Sequence, residues 1–286
     1  MLTHEFMRNA FLAGSFVALA CGLVGYFVVL RGQVFAGDAL SHVAFTGALA
    51  AAAAGAAVRL GLYGVTVAVA AGMGLLGRRA RPDDVVIGTV FAWILGLGVL
   101  FLSIFIAGAG GANGTTAVRV LFGSVLGLSA GEARLAAALA ALAALGLLAI
   151  ARPLLLSTLD HEVAAGLGVP VRALGVAFLV LVGVVAAGAS QAVGALLLLG
   201  LLAAPGGAAR LLTDRPWRGL ALSAAIAVGS MWAGLALSYE VDSLPASTAV
   251  IGVATAAFVL AGGLAWARDR RRPRRPAAIP IAESGV

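Results

Sequence analysis

The chain has 286 residues, 62% of them hydrophobic and only 11% charged, with a mean hydropathy of +1.08 and a formal net charge of +7; a soluble domain carries about 25% charged residues, so a globular cytosolic enzyme is excluded. Lysine is absent and all 19 basic residues are arginine, which excludes a P-loop ATPase, whose Walker motif grips phosphate through its lysine, and any lysine Schiff-base chemistry. The single cysteine, Cys21, lies in an apolar run, so neither an intrachain disulfide nor a cysteine zinc cluster can form.

Runs free of Asp, Glu and Arg mark the membrane spans in chain order. Phe11–Leu30 reaches the ~20 residues that cross hydrocarbon. It is longer than a signal-peptide core and no Ala-x-Ala site follows it, so it is expected to be retained. Ala39–Val58 is uncharged but contains His42, which predicts an interior-facing helix. Leu60–Gly77 and Leu135–Ala151 are shorter and read as helices packed inside a bundle, whereas Val85–Ala107, Gly219–Tyr239 and Ser243–Ala267 are full spans. Ala173–Ala209 is too long for one crossing and is expected to split at Gly188-Ala-Ser-Gln191 into two helices. The expected fold is an all-α, polytopic bundle of about nine spans, eight if one of the shorter runs does not cross. Residues 1–267 form a single transmembrane domain in this reading, and 268–286 a basic, disordered tail suited to anionic lipid. Alanine and glycine dominate the spans, as close helix packing in a membrane requires.

With nine spans, 15 arginines fall on one side and 4 (Arg8, Arg59, Arg119 and Arg134) on the other. The positive-inside rule makes the rich side cytoplasmic, the amino terminus external and the carboxyl terminus cytoplasmic. The tail is the sole strongly basic stretch, which gives no support for nucleic acid as a partner.

Polar residues within spans carry the functional signal, because each is costly in lipid. In Gly37-Asp-Ala-Leu-Ser-His42, Asp38 and His42 are four apart and share a helix face, with Ser41 bordering it. A carboxylate oxygen converging with an imidazole nitrogen suits a divalent cation such as zinc or manganese. The other reading has Asp38 capping a helix amino terminus and His42 packing, and spacing alone leaves both open. A second feature is Ser157–Pro170, a short amphipathic segment between two spans. Asp160 and Glu162 favour a helix amino end, Gly168 and Pro170 end it, and His161 is expected to face solvent. Such a helix can dock onto another subunit or be an ordinary surface loop.

The order of motifs resembles the membrane permeases of ABC-type zinc and manganese importers. The resemblance runs through Phe6-Met-Arg-Asn-Ala10, Val29-Leu-Arg31, Gly37–His42, Asp84–Gly88, Leu121–Ser124, Asp160–Ala164, Gln191–Leu197, Ala204-Pro205 and Leu237–Tyr239 with Asp242. It departs at Gly206-Gly207 and in the Ser-Leu-Pro after Asp242. The resemblance implies a multi-pass protein of a prokaryotic plasma (inner) membrane that forms a dimer. It also implies two cytoplasmic ATPase subunits, which hydrolyse the ATP, and an extracytoplasmic metal-binding protein that delivers the ion. No permanent cofactor is expected; the transported ion is zinc or manganese, with zinc slightly ahead because of the histidine. Family ligand positions fall on Asp38, Ser41 and His42, and Asp160, Glu162 and Gly168 become the residues that couple to the ATPase. Two alternatives stand beside this reading. One is a permease for a metal chelate such as a siderophore or cobalamin, and the other an ion-coupled secondary transporter, for which several embedded acids would be expected.

Overall fold

The computed structural model describes residues 5–77, 84–107, 123, 125–195, 198–241 and 243–271. Among these the ordered elements are helices: α1 (Glu5–Leu30), α2 (Val34–Ala53), α3 (Val58–Leu76, with a π turn at Gly61–Val65), α4 (Asp84–Ala107), α5 (Ala130–Leu159), α6 (His161–Gly166), α7 (Val171–Val193), α8 (Leu198–Leu212), α9 (Pro216–Glu240) and α10 (Ala246–Arg271). Eight of them are long and apolar enough to span a membrane, and α8 is a shorter apolar helix of 15 residues.

Contacts show where α8 sits in the bundle. α7 starts beside the end of α3, where Arg172 Nη2 donates to the Leu75 carbonyl at 3.2 Å, and it finishes at Gly194, which packs against Gly123. The last residue of α8, Leu212, lies by Arg268 of α10, and α9 begins under Tyr26 near the end of α1. Since the end of α1 also meets the end of α5 and the start of α7, α8 runs from the end carrying Gly194 to the opposite one. Among the described residues eight helices are thus of span length and α8 lies beside them as a shorter one, with Arg31, Arg172, Arg210 and Arg268 near the ends of α1, α3 and α8 that meet there.

α1 is the central helix, packed on α5, α7, α8 and α9. Its small residues permit this. A Cβ on Gly25 would overlap the Leu202 carbonyl of α8, and one on Gly22 would stand 2.7 Å from the Ala224 Cα of α9. The Ser223 hydroxyl uses the same approach to donate to the Gly22 carbonyl at 2.6 Å. α2 packs on α4, on the π turn of α3 and on α7.

Several helix ends differ from the uncharged runs. α5 starts at Ala130, five residues before Leu135, because Ser129 and Glu132 form a capping box. It continues beyond Ala151 through Arg152 and Pro153 to Leu159. The long run breaks at Gly194 rather than at 188–191: Gly194 takes φ +91°, a left-handed value that favours glycine, whereas Gly188–Gln191 stay helical. α10 extends past Ala267 to Arg271. The remainder of the basic tail, Arg78–Arg81, and the Leu121, Phe122, Ser124 and Asp242 motif positions lie outside the described residues.

Candidate functional site

Gly32, at φ +67°, turns the chain sharply after α1, so α2 begins at Val34. Its amino cap is Gln33, which makes no side-chain capping bond. Asp38 is therefore the fifth residue of the helix, and the capping reading of its carboxylate does not hold. His42 follows one turn later on the same face, and both side chains are half-buried. The imidazole stands edge-on to Phe91 of α4, with ring centres 5.2 Å apart, and Phe91 in turn meets Phe35 at 5.6 Å. Another turn along, Thr46 donates to the Ile94 carbonyl at 3.1 Å. Asp38, His42 and Thr46 thus form a polar stripe on α2 beside α4.

Ser41 stands apart from this pair. It is fully buried, and its hydroxyl donates at 2.6 Å to the Asp38 backbone carbonyl. Among the described residues no three His, Cys, Asp or Glu side chains gather closely enough to hold a metal ion. Asp38 and His42 thus share one half-buried face of α2.

The short helix at the arginine-rich end begins at Asp160 and closes at Gly168, as the sequence suggested. Asp160 is the amino cap of α6: its Oδ1 accepts from the Glu162 and Val163 amides, each at 3.0 Å. The last helical residue is Gly166. Gly168 at φ +78° then lets its own amide donate to the Ala165 carbonyl and the Val169 amide to the Ala164 carbonyl, a Schellman closure. A Cβ on Gly168 would meet nothing within 4 Å, so the glycine serves this turn. Glu162 is exposed and His161 half-buried. The sequence reading missed the exposed apolar side chains around α6. Leu159, the last residue of α5, Val163 in α6 and Leu167, its carboxyl cap, are 68%, 50% and 69% exposed. Their place in a segment that also carries Asp160, His161 and Glu162 was the signal that could have found them.

The model of the ABC 3 transport family matches residues 3–264. The chain belongs to that family. A protein of Halalkalibacterium halodurans named "Manganese transport system membrane protein MntC" is 32% identical over 262 residues, 91% of this chain and 88% of that one. A Haemophilus influenzae protein named "Probable iron transport system membrane protein" is 30% identical, over 95% of this chain and 97% of its own length. Among solved structures, "PsaBC from Streptococcus pneumoniae in complex with Fab" superposes with a TM-score of 0.77 at 23% identity, covering 90% of this chain and 91% of that chain, a likeness of fold. Family membership accounts for the ordered motifs and identifies this ABC 3 chain as a transporter membrane subunit rather than an enzyme.

Proposed function

We propose that the chain is the permease of an ATP-driven importer for a divalent transition metal ion, with manganese now ahead of zinc. The carrying observation is the Asp38–His42 pair, half-open, one helical turn apart and inside a span of an ABC 3 family chain. Carboxylate oxygen suits the harder manganese and imidazole the borderline zinc, so the pair accepts either. The manganese-transport names of relatives such as the Halalkalibacterium protein tip the balance. Two protein ligands with water in the remaining positions match a site that has to release its ion, unlike a closed structural cage. A chelate permease has less support, because a bare-ion ligand pair would serve no purpose for an encased metal.

In this reading the arginine-rich end is cytoplasmic, so α6 lies where ATPase subunits dock. Val163 in α6, with Leu167 at its cap and Leu159 at the end of α5, offers them an exposed apolar surface, and Asp160 and Gly168 hold the helix in shape. A second copy of the chain and an external metal-binding protein complete the assembly. The partner subunits switch the bundle between outward and inward access, and the Asp38–His42 pair holds the ion during the change.

Uptake of radioactive manganese and zinc into cells tests the site. Because Gln33, not Asp38, is the cap, Asp38→Asn removes charge without removing a helix stop. Asp38→Asn and His42→Ala should each abolish uptake at normal membrane abundance. Wild-type uptake by Asp38→Asn would refute the assignment.

A further inference from the structure

Arg31 lies in the turn between α1 and α2 and is buried, with 7% of its surface exposed. Its side chain reaches three other parts of the bundle. Nη1 donates to Thr158 Oγ1 near the end of α5 at 3.0 Å, and Nε donates to Gln33 Oε1, immediately before α2, at 3.3 Å. The guanidinium carbon stands 5.4 Å from the centre of the Phe178 ring in α7, within the range of a cation–π contact. The Thr158 hydroxyl spends its own proton on the Leu154 carbonyl, at 2.6 Å, so its lone pairs are presented to Arg31.

The positions of these partners give the contact its meaning. Thr158 is two residues before Asp160, the cap of α6, while Asp38 lies four residues after the start of α2 at Val34. Pro153, inside α5 and five residues before Thr158, cannot donate a helical hydrogen bond. The Ala149 carbonyl therefore lacks its i+4 helical donor, ahead of the segment that carries Thr158 and leads into α6. A buried guanidinium is strongly unfavourable when its hydrogen-bond partners are withdrawn. Displacement of Thr158 therefore either carries the α1–α2 turn with it or breaks a hydrogen bond of a buried guanidinium.

We propose that Arg31 is a positioning residue that ties the ATPase-docking helix to the ion-holding helix, so that movement of α6 is transmitted through Thr158 and Arg31 to the start of α2. The proposal rests on the reading of α6 and of the Asp38–His42 pair given above. Spatial linkage alone does not demonstrate coupling, so the decisive quantity is the number of metal ions moved per ATP hydrolysed.

The experiment uses the full complex, permease with its ATPase subunits, in liposomes supplied with the manganese-loaded binding protein. Thr158→Val keeps the side-chain shape and removes the acceptor. It should leave abundance and equilibrium manganese binding without ATP unchanged, yet lower manganese ions transported per ATP about tenfold, the scale of one lost bond to a charged group. Thr158→Ser, which keeps the hydroxyl, should restore the ratio. Arg31→Met, which also removes the Gln33 and Phe178 contacts, should lower the ratio at least as far, and adding Thr158→Val to it should lower it no further, since the shared contact is already gone. An unchanged ratio in Thr158→Val, or losses that multiply in the double variant, overturns the proposal. If Arg31→Met fails to reach the membrane, the Val and Ser variants at 158 decide the matter by themselves. Failure of the parent reading has its own signature. Normal stimulation in Val163→Asp or normal uptake in Asp38→Asn removes it, whereas an unchanged ratio in Thr158→Val with those two impaired removes only the role of Arg31.

Discussion

Replacing Asp160 separates a structural carboxylate from one that touches a partner. Asp160 Oδ1 accepts from two amides at 3.0 Å, and Asp160→Ala deletes both bonds. Loss of such a cap costs about 1 kcal/mol, and loss of the negative charge at the helix amino end adds roughly 0.3–1 kcal/mol. A total of about 1.3–2 kcal/mol lowers the folded-to-unfolded ratio of the segment roughly ten- to thirtyfold. α6 has only six residues, far below the ~12 at which a helix begins to persist unaided. It therefore depends on this cap, on buried Ala164 and on the Gly168 closure. Asp160→Asn retains an oxygen acceptor and caps nearly as well, so it forfeits only the charge contribution, less than about fivefold. Hydrogen exchange at the Leu167 amide, which bonds the Val163 carbonyl at 3.0 Å, should accelerate strongly in Asp160→Ala and slightly in Asp160→Asn. ATPase stimulation by the metal-loaded binding protein should fall in the same order. Equal loss of stimulation in both variants, with exchange preserved in Asp160→Asn, would refute the capping argument and place the carboxylate charge against the ATPase.

Two other outcomes follow from the same geometry. Val163→Asp and Leu167→Asp each put a carboxylate into the apolar docking surface; stimulated ATPase activity should drop roughly thirtyfold, on the order of 2 kcal/mol, with insertion unchanged because both side chains face outward, and a normal ATPase response would discard these side chains as a docking surface. Ser41→Ala removes a hydroxyl whose one recorded bond is to the Asp38 carbonyl, which should cost about 0.5–1.5 kcal/mol of stability and leave manganese uptake within about twofold; abolished uptake at normal abundance would make Ser41 a ligand after all.

The spans were legible because lipid imposes one strong rule, that a long uncharged run forms a helix. The same rule misplaced the ends. Arg134 and Arg152 broke the apparent run of α5, although long arginine side chains near helix ends can keep their charge at the interface, and the capping box at Ser129 extended the helix past the first of them. The break between α7 and α8 depended on backbone conformation. Gly188 and Gly194 are indistinguishable in composition, yet only Gly194 takes a positive φ and packs against Gly123. Polar motifs gave Asp38, His42 and Asp160 at once. Attention to polar residues passed over Val163 and Leu167, whose significance arises from being apolar where α6 leaves them uncovered. The contact between Arg31 and Thr158 spans 127 residues of sequence, and no local pattern encodes it.

The depth of Asp38 and His42 shows how backbone geometry alters a chemical conclusion. Asp38 broke the uncharged run, so the sequence placed it at a span border, where a carboxylate costs little and capping explains it. The tight Gly32 turn moves the start of α2 back to Val34. At 1.5 Å per residue Asp38 then lies ~6 Å and His42 ~12 Å along the helix from its arginine-rich end. A carboxylate held at that depth and exposed to lipid would be strongly unfavourable, yet the Asp38 face of α2 is only half covered within one chain. Other protein or a water-lined cleft must complete the covering. The second copy of the chain in the proposed assembly would meet that requirement, and on that proposal the half-covered face that would be a defect in a solitary subunit is where an ion could arrive.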